Sequence, residues 1–247
     1  TKNKIINLHK NFEYKLGLSA TVEMEHEPER NKTLFEEIGE IIQPPFTLNE
    51  GIRRNILCEM NFSPLDYSLT PEEKGKIQNL IRQKEEKKKN NEWNIHEDKI
   101  HRQRLSRIRK LAEYKIPSFI NFITTNRQIL DRCIIFVHER EYGTRLYKEL
   151  NKISGDIKEF YDDDQIETLK MFAEKQINTL ITCKSLSQGI SINSLTNIVI
   201  FASDSRLVNI QRVGRVLRKD DNNVNKIATI VDFFDKEKVE IPTHNEH

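Results

Sequence analysis

Four short apolar runs in the second half of the chain constrain its fold more than any other feature. They occupy residues 133–137, 179–182, 197–202 and 227–231. Short runs that are apolar on both faces are typical of buried strands, and the stretches between these runs have the periodicity of helices. Strands that alternate with helices form a parallel sheet covered on both faces, so the sequence predicts an α/β fold.

A basic helix is predicted at residues 211–218, between the last two of these runs. Its polar side chains recur at helical spacing and form one cationic face: Gln211, Arg212, Arg215 and Arg218. On the same helix, Gly214 leaves room for another group to approach closely. A basic helix that crosses between strand ends lies at the ligand edge of an α/β sheet, which predicts an anion site. A solvated basic surface is the alternative.

The loop after the run 179–182 is a second candidate site. Residues 184–191 read Lys-Ser-Leu-Ser-Gln-Gly-Ile-Ser and are rich in hydroxyl and backbone donors. A loop of this kind after a strand can hold a phosphate or a nucleic-acid backbone. An ordinary strand-to-helix connection with Gly189 at positive φ explains the same residues, so both readings stay open.

The proline pair at 44–45 predicts a domain boundary. Residues 1–45 contain a short mixed helix, a brief strand that ends at Ser19-Ala-Thr21, and a helix closed by Gly39. Ser19 and Thr21 taken alone indicate no more than a turn or a helix cap. The second predicted domain spans residues 46–247, with a first strand at 55–61.

A charged helical insertion is predicted within this second domain, at about residues 71–115. Thr70, with proline next to it and Glu73 three residues on, forms a capping box that starts the first helix. Two charged helices broken near Asn90 follow. They form either a solvated hairpin or a phosphate-binding surface built on Arg102, Arg104, Arg107 and Arg109. Trp93 either anchors the hairpin or stacks on a base.

Composition restricts the class of protein without identifying a partner. The net charge is only +2, so no global basic field points to nucleic acid. Apolar runs long enough to cross a membrane and a signal-peptide pattern are both missing, which predicts a soluble cytoplasmic protein without a membrane partner. The three cysteines and seven histidines lack the spacing of metal ligands, so no metal site is predicted.

Considered together, these stretches give the chain a resemblance to the superfamily 2 helicases and translocases. The likeness is greatest to xeroderma-type repair helicases, phage recombination helicases and the motor subunits of type I and type III restriction enzymes. It covers nearly all of the chain except the charged insertion and the tail. The stretches that resemble motifs III, IV, V and VI, in the family's order and spacing, are 16–21, 134–137, 185–191 and 211–218.

The resemblance implies roles for individual residues. Such motors hold ATP and Mg²⁺ between two RecA-like domains, and this chain would be the second domain preceded by the end of the first. Arg215 and Arg218 match the arginine fingers that act on the γ-phosphate, and Gln211 would lie near that phosphate or the attacking water. Positions that match nucleotide contacts or ties between domains are Gly189, Ser191 and Arg212. Positions that match nucleic-acid contacts are Ser19, Thr21, Lys184, Ser185 and Ser187.

The chain also departs from the family's pattern. Gln188 and Ser191 stand where the family usually has acidic residues, which puts coupling through motif V in doubt. The sequence contains no GxxxxGK[ST] phosphate loop and no Asp-Glu pair for Mg²⁺. We therefore expect the C-terminal part of an ATP-dependent DNA helicase or translocase that does not hydrolyse ATP alone, with RNA left open. The alternative is a non-catalytic RecA-like module that binds nucleic acid or protein.

Overall fold

A computed structural model describes residues 13–17, 28–161, 166–183, 194–202, 212–220 and 223–237. Six strands of this part form one sheet: β1 (Glu59–Tyr67), β2 (Cys133–Phe136), β3 (Ile157–Phe160), β4 (Thr179–Thr182), β5 (Asn197–Ile200) and β6 (Ile227–Asp235). Their order across the sheet is β1-β6-β5-β2-β4-β3, and every neighbouring pair is parallel. The predicted α/β fold with a parallel sheet is therefore confirmed.

Helices connect these strands along the chain. The named α-helices are α1 (Pro28–Ile38), α2 (Leu48–Arg53), α3 (Pro71–Lys89), α4 (Ile95–Lys110), α5 (Lys115–Thr125), α6 (Arg140–Leu150) and α7 (Ile166–Ala173). A 3₁₀ turn at Arg127–Leu130 follows α5, and residues 212–216 are also helical. As predicted, Gly39 ends α1: its φ is +110° and its N–H donates to the Phe35 carbonyl at 2.9 Å.

The sheet is buried on both faces, because neighbouring residues of each strand point to opposite sides. In β2, Ile135 packs into a core with α3, α4, α5 and α6, whereas Ile134 packs into a second core with α7 and residues 216–217. Both side chains are fully buried. The sheet therefore separates the charged insertion, on one face, from the arginine-bearing residues 212–218 on the other.

The first strand begins later than the sequence suggested. Residues 55–61 were expected to form it, but β1 starts at Glu59 and continues through Pro64 to Tyr67. β1 is an edge strand that pairs only with β6 in the sheet. Pro64 has no backbone N–H, so it cannot donate a hydrogen bond to a neighbouring strand. An edge strand tolerates this loss, because one of its two sides has no neighbouring strand.

The insertion forms the predicted helical hairpin. Glu73 N–H donates to the Thr70 hydroxyl at 3.1 Å and Thr70 N–H donates to the Glu73 carboxylate at 2.8 Å, which confirms the capping box. Trp93 lies in the turn, edge-on to His101 at 5.5 Å between ring centres, and Lys84 Nζ sits 5.1 Å from the centre of its ring. Trp93 therefore anchors the hairpin from within.

Candidate functional site

The basic segment 212–218 begins beyond the carboxyl ends of the central strands β2 and β5, where Arg212 bonds. It ends near the amino ends of β1 and β6, where Leu217 and Arg218 bond to Cys58 and Lys226. Residues 212–216 are helical, and they follow β5 and precede β6 in the chain. In parallel sheets the carboxyl ends of the strands form the edge where ligands bind. The predicted placement at this edge therefore agrees with the position of Arg212 and is wrong for Arg218, which lies near the opposite edge of the sheet.

Arg212 is turned inward. Only 4% of its surface is exposed. Its Nη1 donates to the carbonyl of Ala202 at 2.8 Å, and its guanidinium carbon lies 4.5 Å from the centre of the Phe136 ring. A guanidinium tolerates this setting, because it is planar, weakly hydrated and able to stack on an aromatic ring. Arg212 thus fastens the helical segment to the ends of β5 and β2.

Arg215 and Arg218 are both more exposed to solvent than Arg212. Arg215 is half-buried and Arg218 is exposed. Burial, and then the neighbouring charge of Arg218, lower the pKa of Arg215. Arg215 forms no ion pair with the residues that the structure describes. The prediction of one cationic helix face over 211–218 is therefore wrong at its end, because the helix stops at Val216 and Arg218 lies beyond it, in an isolated bridge with Leu57. Exposure rises along the segment, from a buried Arg212 to an exposed Arg218.

The apolar side of the segment holds it in place. Val216 and Leu217 are fully buried in the second core. The carbonyl of Leu217 accepts the N–H of Cys58 at 3.0 Å, and the carbonyl of Arg218 accepts Lys226 Nζ at 2.5 Å. A helical segment anchored at its core side and at its end keeps its arginines in fixed positions.

Gly214 has open space beside it. A Cβ atom built at this position meets no atom within 4 Å. Nothing in the described chain therefore explains a glycine here, although glycine weakens a helix relative to alanine. The close approach that the sequence suggested would have to come from another molecule or domain.

Sequence reasoning missed two charged residues near the same strand ends. Lys115 is 3% exposed and donates from Nζ to the Phe201 carbonyl at 2.9 Å. Asp232, in β6, has its pKa raised by burial, while its backbone bond to Phe233 and the charges of Lys115 and Arg212 act in the opposite direction. A lone acid at the end of an apolar strand is the signal that could have drawn attention to Asp232.

Several predicted site residues lie outside the described residues, and their predicted roles stay predictions. They are Ser19, Thr21, Lys184, Ser185, Ser187, Gly189, Ser191 and Gln211. Among the residues that are described, no group of histidine, cysteine and acidic side chains could hold a metal ion. Over the same ranges, no helix combines the length and apolar character needed to span a membrane.

Comparison with known protein families identifies part of the chain. Residues 114–220, from the start of α5 to just beyond the arginine-bearing segment, match the model of the helicase conserved C-terminal domain. The region 114–220 is therefore similar to a helicase C-terminal domain. The predicted resemblance to a helicase C-terminal domain is confirmed for this region. A search of curated proteins finds no match.

Solved structures share the fold of this chain. A fragment of a protein assigned as an HsdR subunit of a type I restriction enzyme from Vibrio vulnificus YJ016 is 15% identical, with a TM-score of 0.54 over 83% of this chain and 37% of that one. The Sulfolobus solfataricus SWI2/SNF2 ATPase core in complex with dsDNA is 13% identical, with a TM-score of 0.52 over 71% of this chain and 41% of that one. The chain thus spans about two fifths of each of these structures.

Proposed function

We propose that this chain is the arginine-bearing half of an ATP-dependent DNA motor. It would act opposite a RecA-like domain that carries a phosphate loop and binds ATP with Mg²⁺. In this proposal residues 46–247 form the second RecA-like domain, with the insertion at about 71–115, and residues 1–45 end the first.

The setting of Arg215 is the main support for this function. Its guanidinium is half-buried beside Arg218, on a helical segment fixed to the sheet edge by Arg212. Two neighbouring cations repel each other, and an anion placed between them removes that repulsion. Fixed cations aimed at the place where negative charge develops are an effective means of stabilising a phosphoryl-transfer transition state.

The neighbouring residues take supporting roles in the proposal. Arg212 acts as a positioning residue that holds the segment from its buried site. Gln211 would orient the attacking water. Gly189 and Ser191 would contact the nucleotide, and the hydroxyl and lysine residues at 19, 21, 184, 185 and 187 would contact DNA.

This function predicts a sharp dependence on the two outer arginines. In the full-length motor, Arg215→Ala and Arg218→Ala should each lower kcat for ATP hydrolysis by about 10³-fold or more, with little change in DNA affinity. Steady-state ATPase assays with saturating DNA, together with DNA-binding titrations, measure both quantities. Lys219→Ala is the matched control. It removes a positive charge next to Arg218, but from a side chain that donates to the Asn55 side chain and has no proposed role at the γ-phosphate.

Three results would contradict the proposal or a part of it. Near-normal turnover in both arginine variants would remove the assigned catalytic role. Appreciable ATP hydrolysis by residues 1–247 alone would show that the chain does not depend on a separate phosphate loop, which its sequence lacks. An RNA-stimulated motor that ignores DNA would correct the assigned nucleic acid.

A further inference from the structure

A cavity lies on the face of the sheet opposite the arginine-bearing segment. Its volume is about 360 Å³, and it is enclosed by α4 and by the carboxyl ends of β1 and β6. This size falls within the range of ligand pockets, roughly 300–1,000 Å³. Arg102 and Phe234 are exposed and also line the cavity, which therefore opens to solvent.

One side of α4 supplies polar donors to this cavity. The residues that it contributes recur at helical i, i+4, i+7 and i+8 positions: Arg102, Ser106, Arg109 and Lys110. This spacing places them along one stripe of the helix. Asp235, at the end of β6, is the acidic residue that lines the cavity, so basic groups outnumber acidic ones there.

Lys115 adds a buried cation to the same cavity. Its Nζ lies 4.7 Å from the centre of the Tyr67 ring and 5.4 Å from that of Phe233. Burial lowers the pKa of Lys115 to about 8, against the pull of Asp232 and Asp235. A buried amine of this kind is costly to fold, which makes it a candidate for a binding role.

The structure separates the four arginines of α4. Arg107 pairs with Glu139 at 2.9 Å, outside the cavity, and Arg102 pairs at 3.0 Å with Asp98 on its own helix. Arg109 lines the cavity without an ion pair among the described residues, and Arg104 is exposed and does not line it. Arg109 is therefore the cavity residue most available to an anion, and Arg104 is its natural control.

The cations of the cavity favour a phosphate as the bound group. Of the aromatic rings that line it, Tyr67 and Phe233 are 4% and 8% exposed and offer no free face, whereas Phe234 is exposed and lies edge-on to Phe62 at 6.0 Å between ring centres. Clustered cations in a recess concentrate the local positive potential, which attracts phosphate. The open mouth allows a strand to continue on either side of the bound group.

We propose that this cavity binds a backbone phosphate of a nucleic-acid strand. The inference rests on the proposed function, because it adds a contact for the strand on which the motor acts. It places that contact on the charged insertion, remote from motif V and from the arginine-bearing segment.

The test is a fluorescence anisotropy titration of a labelled single-stranded oligodeoxynucleotide with the full 247-residue chain. Arg109→Ala should weaken binding about tenfold and reduce the slope of log affinity against log salt by about 1. Arg104→Ala, which removes the same charge from the same helix, should change affinity less than about twofold. Circular dichroism melting verifies that the variants fold, and Lys110→Ala serves as a second cavity variant.

The following outcomes would each contradict the proposed phosphate site. Equal losses for the substitutions at 104 and 109 would show only general attraction to a basic surface, and absence of binding by the wild-type chain would also refute it. Displacement of the oligonucleotide by inorganic phosphate or ATP at micromolar concentration would assign the cavity to free phosphate compounds. The motor itself is judged separately, by the effect of Arg215→Ala on turnover at saturating DNA.

Discussion

On each face of the sheet, one buried cationic side chain bonds to the backbone just after β5. From the arginine-bearing side, Arg212 donates to the carbonyl of Ala202. From the insertion side, Lys115 donates to the preceding carbonyl, that of Phe201. An arginine keeps its charge when buried, whereas the pKa of a buried lysine shifts readily. Two similar anchors therefore differ in chemistry: one is permanent and the other responds to pH.

The same two regions differ in how they use their charge. The hairpin has far more basic residues in sequence, yet many are engaged in ion pairs such as Lys87 with Glu97 at 2.5 Å. Exposed pairs of this kind contribute little to stability. In the segment 212–218 each arginine has its own degree of exposure: Arg212 and Arg215 lie on the helical residues 212–216, and Arg218 lies just beyond them. The comparison teaches that the placement of charges, more than their number, marks a functional site.

The largest expected effect on stability concerns Lys115, the pH-sensitive anchor. Lys115 has a folded-state pKa of about 8, below its ordinary value of 10.5. The unfolded chain thus holds this proton more tightly, so the penalty is fully present below about pH 8 and disappears as pH rises towards 10.5. Lys115→Met should therefore lose about 2 kcal/mol of stability relative to wild type between pH 7 and pH 10.

Denaturant unfolding at several pH values measures this difference. The charged groups that act on the lysine are Asp232, Asp235, Glu73 and Lys110, and the Met variant retains them all. A difference that stays constant from pH 7 to pH 10 would show that the lysine titrates normally, and the contrast between the two anchors would then be lost.

The next largest effect concerns Gly214 on the arginine-bearing side. Gly214→Ala adds a methyl group that meets no atom within 4 Å. Unfolding free energy should stay constant or rise by up to about 1 kcal/mol. ATP turnover of the full-length motor should fall about tenfold, because the approaching phosphate or domain loses its space. Gly75→Ala in α3, where the space is equally open, should leave turnover unchanged. If Gly214→Ala and the wild-type motor hydrolysed ATP equally fast, the open space beside Gly214 would have no role in turnover.

The smallest effect tests what holds the hairpin in place. Thr70→Ala removes the hydroxyl that accepts the Glu73 N–H and should cost about 1 kcal/mol. Thr70→Ser should retain most of this stability. Thermal or denaturant unfolding measures both variants. If Thr70→Ala were neutral, packing of Ile77 and Leu105 in the core would hold the hairpin without the cap.

Much of the fold follows from local patterns, because a few consecutive residues are enough to indicate a strand buried on both faces or a capped helix. The strand at 179–182 and the capping box at Thr70 lie where the sequence predicted them. The start of β1 does not, because a strand through Pro64 is possible only at a sheet edge, and edge position depends on distant pairing with β6.

The candidate site was predicted only in part for a similar reason. Spacing alone puts Arg212, Arg215 and Arg218 on one side of a helix, but it does not say which arginine meets the Phe136 ring. Lys115 and Asp232 belong to no motif that the sequence shows. Their unusual setting comes from burial beside residues that are distant in the chain.

The sequence by itself determined the parallel α/β architecture, the hairpin and the presence of an arginine-bearing segment between two strands, because these depend on periodicity and local hydrogen bonding. Only the tertiary structure decided which cations are buried, which are paired and which line a cavity. Those properties depend on desolvation and on neighbours brought together by the sheet, and no local pattern records them.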